Sequence, residues 1–239
     1  MDPAVAASAS SMASLADQYR AITQNLANVN TAGYKRRRTS FSQVLAGIGG
    51  EQGALEVSSK MAVDHTPGHI MRTERSLDVA IEGEGFFQID TPDGPRFTRN
   101  GTFRANATRQ LVDGAGQTVA GQSGPITVPG GVSSSAVQIS PTGDLLANGK
   151  PFGRLKVVRF ADTTQMTPSS AGTFIAPDGQ AGEAATDVTI RQGCQETSNV
   201  RAVEELTALI SVSRLYEANV RAVSSYDERA KSLLETAMG

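Results

Sequence analysis

Apolar residues recur at alternating steps of three and four at both ends of the chain. Met12, Leu15, Tyr19, Ile22, Leu26 and Val29 form one series. Val203, Leu206, Ile210 and Ser213 open a second, which continues through Tyr216, Val220, Val223, Tyr226, Ala230, Leu233 and Ala237. Such spacing keeps side chains on one face of a helix, so the pattern predicts two amphipathic helices. The first is expected to begin near Pro3, whose fixed φ suits a first turn, and to stop within residues 28–33, where Asn and Gly accept left-handed backbone. The second is expected to open near Ser198 and Asn199, with Glu204 and Glu205 close to its positive end. The two apolar seams predict helices that pair with each other or with copies of themselves.

From Thr66 onward the period changes to two. Leu77, Val79 and Ile81 alternate with Asp78, Ala80 and Glu82, and Phe86, Phe87 and Ile89 follow after Gly83 and Gly85. Turn signals punctuate this stretch: Thr91-Pro92-Asp93-Gly94, Asn100-Gly101 and Asp113-Gly114. Further strands are expected over 136–140, 153–160 and 187–191. The fold class is therefore α+β, with N- and C-terminal helices pairing as a coiled-coil-like α-domain around a central antiparallel, mainly β domain. The division that follows is a helix over 1–34, a basic and Gly-rich connector over 35–65 with a linker at 45–53, a β-domain over 66–192 and a helix over 193–239.

Composition narrows the function. A hydrophobic fraction of 39% supports a core, and 19% charged residues is too few for a disordered charged tail. A formal net charge of −2 lacks the basic excess that phosphate neutralisation requires, so nucleic acid is not an expected partner. The Lys35-Arg36-Arg37-Arg38 run reads as a solvated face complementing a helix C-terminus. No stretch approaches the roughly 20 apolar residues of a membrane span, so no direct membrane insertion is expected. The Met1-Asp2 start lacks the basic patch and apolar run of a cleaved signal. A place of work outside the cytoplasm would imply another exit route. Cys194 is alone, which excludes an internal disulfide.

Catalytic chemistry is hard to find. Pro67 and Gly68 break the helix that would bring His65 and His69 to one metal. Gly83-Glu84-Gly85 and Gly114-Ala115-Gly116 lack the third glycine of a phosphate fingerprint. Cys194 reads as a packing thiol, and Glu82 and Glu84 as solubilising charges beside turn glycines. No catalytic, metal-binding or cofactor-binding residue is expected, and the chain does not read as an enzyme.

Three blocks carry a family likeness. Residues 24–35, with Asn25, Leu26, Asn28, Asn30, Thr31, Gly33, Tyr34 and Lys35, resemble the motif that ends the first helix of bacterial flagellar rod and hook proteins. Leu77, Asp78, Val79, Gly83, Gly85, Phe86 and Phe87, with Thr98, Arg99 and Gly101, resemble that family's central β signature. Residues 192–200, with Glu196, Ser198, Asn199 and Val200, together with residues 214–219, resemble its C-terminal helix. Two departures stand out: Asn106-Ala107-Thr108-Arg109 replaces the usual acid and glycine, and Cys194 replaces a larger apolar residue.

The resemblance implies a structural axial subunit of the flagellar basal-body rod, packing helically with copies of itself and other rod and hook subunits to carry motor torque to the hook. It also implies export as an unfolded chain by the flagellar type III apparatus, without a cleaved signal, to the periplasmic rod. Length, the Met1-Asp2 start and residues 91–99 favour the proximal rod type. The basic run followed by Phe41 resembles the distal type, which stays open beside a short hook-type protein. An alternative of another class is a β binding module with helical oligomerising ends. Asn28, Asn30 and Gly33 would form the sharp turn where the first helix ends. Ordering of the apolar seams would be coupled to docking on neighbours, so the assembly interface is expected at Met12, Leu15, Tyr19, Ile22, Leu26, Val29, Val203, Leu206, Ile210, Tyr216, Val220 and Val223.

Overall fold

The computed structural model describes residues 3–45, 55–177, 180 and 182–238. Apart from Leu45, the expected linker over 45–53 lies outside the described residues. The chain forms two compact units, the first made of Met1–Ala27, Arg37–Asp64 and Val200–Gly239, the second of Asn28–Arg36 and His65–Asn199.

The first unit holds helix α1 (Pro3–Ala27), strands β1 (Arg37–Leu45) and β2 (Leu55–Val63), and helix α2 (Ala202–Met238). At 1.5 Å per residue α2 is about 55 Å long. Residues 35–65 are not a plain connector, because β1 and β2 pair antiparallel from Arg37 opposite Val63 to Leu45 opposite Leu55. The Ser and Arg content hid this ladder, whose backbone bonds depend on cross-strand partners more than on residue type. The later positions of the C-terminal seam, Tyr226, Ala230, Leu233 and Ala237, lie on α2 outside the residues whose side chains are described.

Both helix ends depart from expectation in detail. α2 opens at Ala202, where the Arg201 carbonyl accepts the Glu205 amide at 3.1 Å, and not at Ser198 or Asn199. Asn199 is spent elsewhere in its own unit, as shown below. α1 does stop before 28–33, yet among the described residues of that stretch only Gly33 has positive φ, at +66°. Asn28 instead accepts the Thr31 amide on its carbonyl and the Thr31 hydroxyl on Oδ1, each at 3.1 Å.

The second unit is β-rich. Strand β3 (Ile70–Arg72) pairs with Cys194–Glu196, and strand β4 (Val79–Glu82) with Thr189–Gln192. The largest sheet runs through Thr167–Pro168, Thr173–Ile175, strand β6 (Gly94–Thr98), strand β5 (Phe86–Thr91), Thr118–Gly121, Leu111–Val112 and Arg104–Ala105 in that order. Val157–Arg159 also pairs with β5, and Val137–Ile139, Asp144–Ala147 and Lys150–Arg154 form a separate three-stranded meander. Phe87 and Phe103 meet edge-on at 5.2 Å in a core that includes Val79, Ile89, Leu145 and Leu155.

The turn signals had mixed outcomes. Pro92 and Asp93 close the β5–β6 hairpin, with Gly94 at φ +115°. Asp113 opens the next loop, but the left-handed residue is Gly116 at +86°, not Gly114. Asn100-Gly101 closes no hairpin: a Cβ on Gly101 would come within 1.9 Å of the Val79 carbonyl oxygen, so this glycine permits a close backbone approach. The polarity alternation near β4 also fails as a burial pattern, since Asp78 and Ala80 are buried with their apolar neighbours. Asp78 is tolerated inside because it accepts from the Thr73 hydroxyl and the Arg75 guanidinium, both at 2.8 Å. Asn106-Ala107-Thr108-Arg109 forms a turn in which Arg109 itself takes φ +64°. Its guanidinium donates to the carbonyls of Val128, Pro129 and Val132.

Candidate functional site

The motif that ends the first helix divides between the two units. In the helical unit, the Asn25 side chain is buried and satisfied at both ends: Oδ1 accepts the Arg37 amide at 2.8 Å, and Nδ2 donates to the Arg37 carbonyl at 2.9 Å and to Glu205 Oε2 at 3.2 Å. One amide thus ties α1 to the start of β1 and to the first turn of α2. Glu205, expected only as a dipole partner, is 1% exposed.

The rest of the motif belongs to the β unit. Gly33 donates its amide to the Glu196 carbonyl at 2.8 Å, and a Cβ there would lie 2.3 Å from the Asn100 nitrogen, so both φ and space demand glycine. Tyr34 is buried beside it. Lys35 corrects the solvated-face reading: its side chain is 0% exposed, with Nζ 2.6 Å from Glu196 Oε1 and 2.8 Å from the Thr66 carbonyl. The Arg36 amide donates to Asn199 Oδ1 at 2.7 Å, and Asn199 Nδ2 donates to the Thr66 carbonyl at 3.0 Å. Ser198 and Val200 are buried in their respective units.

The β signature meets the same cluster. Arg99 is 4% exposed; it donates to the Gly83 carbonyl at 2.8 Å, packs over the Phe86 ring at 5.4 Å and approaches Glu196 Oε2 at 3.6 Å. Burial pulls its pKa below the ordinary guanidinium value, opposed by the charges of Glu196 and then Glu84. Thr98 is buried, accepts the Asn100 amide at 3.0 Å and donates to the Gly172 carbonyl. Leu77, Val79, Phe86 and Phe87 supply core, Gly83 takes φ +118°, and Gly85 leaves room for Val157.

The expected interface residues separate by exposure. On α1 the buried residues are Ser14, Ala21 and Asn25 and, from the predicted seam, Ile22, so the inward face is turned by roughly 90° from that seam at 100° per residue. Met12, Leu15, Leu26 and Val29 are half-buried and Tyr19 is exposed. On α2 the buried positions are Glu205 and Val212, whereas Val203, Leu206 and Ile210 face solvent at 77%, 50% and 56% exposure. Tyr216 and Val220 are also exposed and Val223 is half-buried.

Residues 80–147 match the flagellar hook protein FlgE/F/G D1 domain family, and residues 191–236 match the flagellar basal body rod FlgEFG protein C-terminal family. The chain is 31% identical over 98% of its length, and 99% of the relative's, to the flagellar basal-body rod protein FlgF of Salmonella typhimurium. It is 31% identical to FlgG of Agrobacterium fabrum, covering 95% of this chain and 96% of that protein, and 30% identical to FlgF of Caulobacter vibrioides over 98% of each. The chain belongs to the flagellar basal-body rod protein family.

It is accordingly a structural subunit of the basal body, not an enzyme, and the proximal-rod expectation fits the FlgF and FlgG names. Among the described residues of this rod subunit, no three His, Cys, Asp or Glu side chains gather as a metal site, and no helix is long and apolar enough to cross a membrane. Cys194 is a half-buried thiol on the strand that pairs with β3. Sequence reasoning missed Lys35, Glu196 and Glu205 as organising residues. Lys35 and Glu196 stand in the quoted blocks, but nothing local says that positions so distant in sequence share one buried pair.

Proposed function

We propose that this chain is the proximal-rod subunit, assembling helically with copies of itself and other rod and hook subunits to transmit motor torque to the hook. Paired terminal helices (1–34 and 193–239) would form the inner-tube, coiled-coil-like part and residues 66–192 a β-domain, with the β1–β2 hairpin between them in sequence. Export would proceed through the type III apparatus without a cleaved signal, to the periplasmic part of the basal body. Nucleic acid is no partner in this reading.

The observation that carries it is the outward apolar stripe of α2. Val203, Leu206 and Ile210 expose large side chains on a face turned roughly 140° from Glu205 and Val212, which is wasteful in a monomer and useful in an open helical assembly. The half-buried Met12, Leu15 and Leu26 offer α1 a matching outer face. The Ile210→Glu variant tests this directly. Because Ile210 is exposed, the monomer's unfolding free energy should stay within about 0.5 kcal/mol of wild type, while rod growth and swimming are lost. Normal swimming in that variant would overturn the reading.

A further inference from the structure

We infer that Lys35 and Glu196 form a clasp that opens as a unit without unfolding the β core, and so decides whether the segment Asn28–Arg36 is ordered. The inference goes beyond the rod reading and concerns the monomer, so it stands or falls independently of assembly.

Four stretches distant in sequence meet at this point. Glu196 takes the Lys35 ammonium at 2.6 Å and the Gly68 amide at 2.9 Å on one carboxylate oxygen, while its carbonyl takes the Gly33 amide at 2.8 Å. Its second oxygen has no hydrogen-bond partner and faces Arg99 at 3.6 Å. Asn199 completes the ring through Arg36 and Thr66. The anchors of Gly33, Lys35 and Arg36 therefore converge on residues 196–199 and the Thr66 carbonyl.

The clasp is also separate from the hydrophobic core. The main buried cluster draws on residues from Leu77 to Ile190 and includes none of 28–36 or 193–199. A polar region with no share in the core is the kind of region that opens below the global unfolding free energy. Its closure is cooperative, since loss of Glu196 would bury Lys35 and Arg99 without their shared carboxylate, and loss of Lys35 would leave Glu196 only Arg99 at 3.6 Å as a counter-charge. Lys35 and Glu196 are 161 residues apart, so the clasp cannot close until the chain is present as far as Glu196. Gly33 fits the closed clasp tightly: with φ +66° and backbone 2.3 Å from where a Cβ would sit, a side chain there is incompatible with the docked geometry.

Residue-resolved amide exchange on the full-length monomer tests this, comparing wild type with Lys35→Met, Glu196→Gln and the double variant Lys35→Met/Glu196→Met. In each single variant the Gly33 and Arg36 amides should exchange about a hundredfold faster, while Ile89 and Val119 keep wild-type protection. The double variant spares Lys35 from being buried unpaired and leaves Arg99 its bond to the Gly83 carbonyl, so it should recover part of the Gly33 and Arg36 protection lost in Glu196→Gln. Two results would overturn the clasp: unchanged exchange at Gly33 and Arg36 in both single variants, or acceleration of Ile89 and Val119 by the same factor. Failure of both single variants to fold would also overturn it, because the pair would then belong to the core.

Discussion

At the scale of single residues, the backbone approach at Gly101 has a measurable cost attached. A methyl group there would meet the Val79 carbonyl at 1.9 Å and the Phe87 ring at 3.0 Å, within the packed β core. Gly101→Ala should lower the unfolding free energy by about 3 kcal/mol, read as a lower urea midpoint at unchanged slope. Asp144 offers a test by pH. Hydrogen bonds from Arg154 and then Thr142 hold its carboxyl down at about 2, against an ordinary 3.8. A depressed carboxylate stabilises the fold above its unfolded pKa and loses that contribution as pH falls through the folded one. The pair is largely exposed and screened, so it contributes less than about 1 kcal/mol. The stability difference between wild type and Asp144→Asn should therefore be present at pH 6, shrink between pH 4 and pH 2, and vanish below. A difference that persisted in acid would remove the Arg154 pair as its cause. The sequence marked Asn100-Gly101 as a hairpin turn and predicted no element at Asp144, which lies on the strand Asp144–Ala147. What it did not announce was the contact that makes each one matter.

At the scale of elements, the ends of α1 and α2 are organised by one amide. Asn25→Ala removes the donor to Glu205 and both bonds to Arg37, and should cost about 2 kcal/mol in thermal unfolding followed at the helix signal. Asn25→Asp should cost more than Asn25→Ala, because it sets a second carboxylate where Asn25 now donates to the buried Glu205 at 3.2 Å. If Asp were tolerated better than Ala, the Asn25–Glu205 bond would not be what holds these ends. The helices and several strands, β4 and β5 among them, were legible in the sequence because periods of 3.6 and 2 follow from where side chains point. Their buried faces were not. Periodicity ranks faces by the size of their apolar side chains, and here Ser14, Ala21 and Asn25 face inward while Leu206 and Ile210 face out. The β1–β2 ladder escaped for a related reason, since a hairpin is fixed by partners across a gap and not by composition within one strand.

At the scale of the whole molecule, the chain is a rod-family subunit whose helical unit exposes apolar surface and whose β unit secures the residues following the first helix. The sequence by itself determined the α+β class, the two terminal helices, several of the central strands and the family. Each of these depends on local spacing or on a contiguous motif, which a linear chain displays in full. Only the tertiary structure decided that Lys35 is buried against Glu196, that Arg99 stacks on Phe86 beside them, and that Gly101 serves a backbone approach instead of a hairpin. Only the tertiary structure, too, separated the inward faces of α1 and α2 from their outward apolar stripes. These outcomes join positions up to 180 residues apart. Burial, desolvation and close contact are properties of space, and no period or composition along the chain encodes which distant groups will share it.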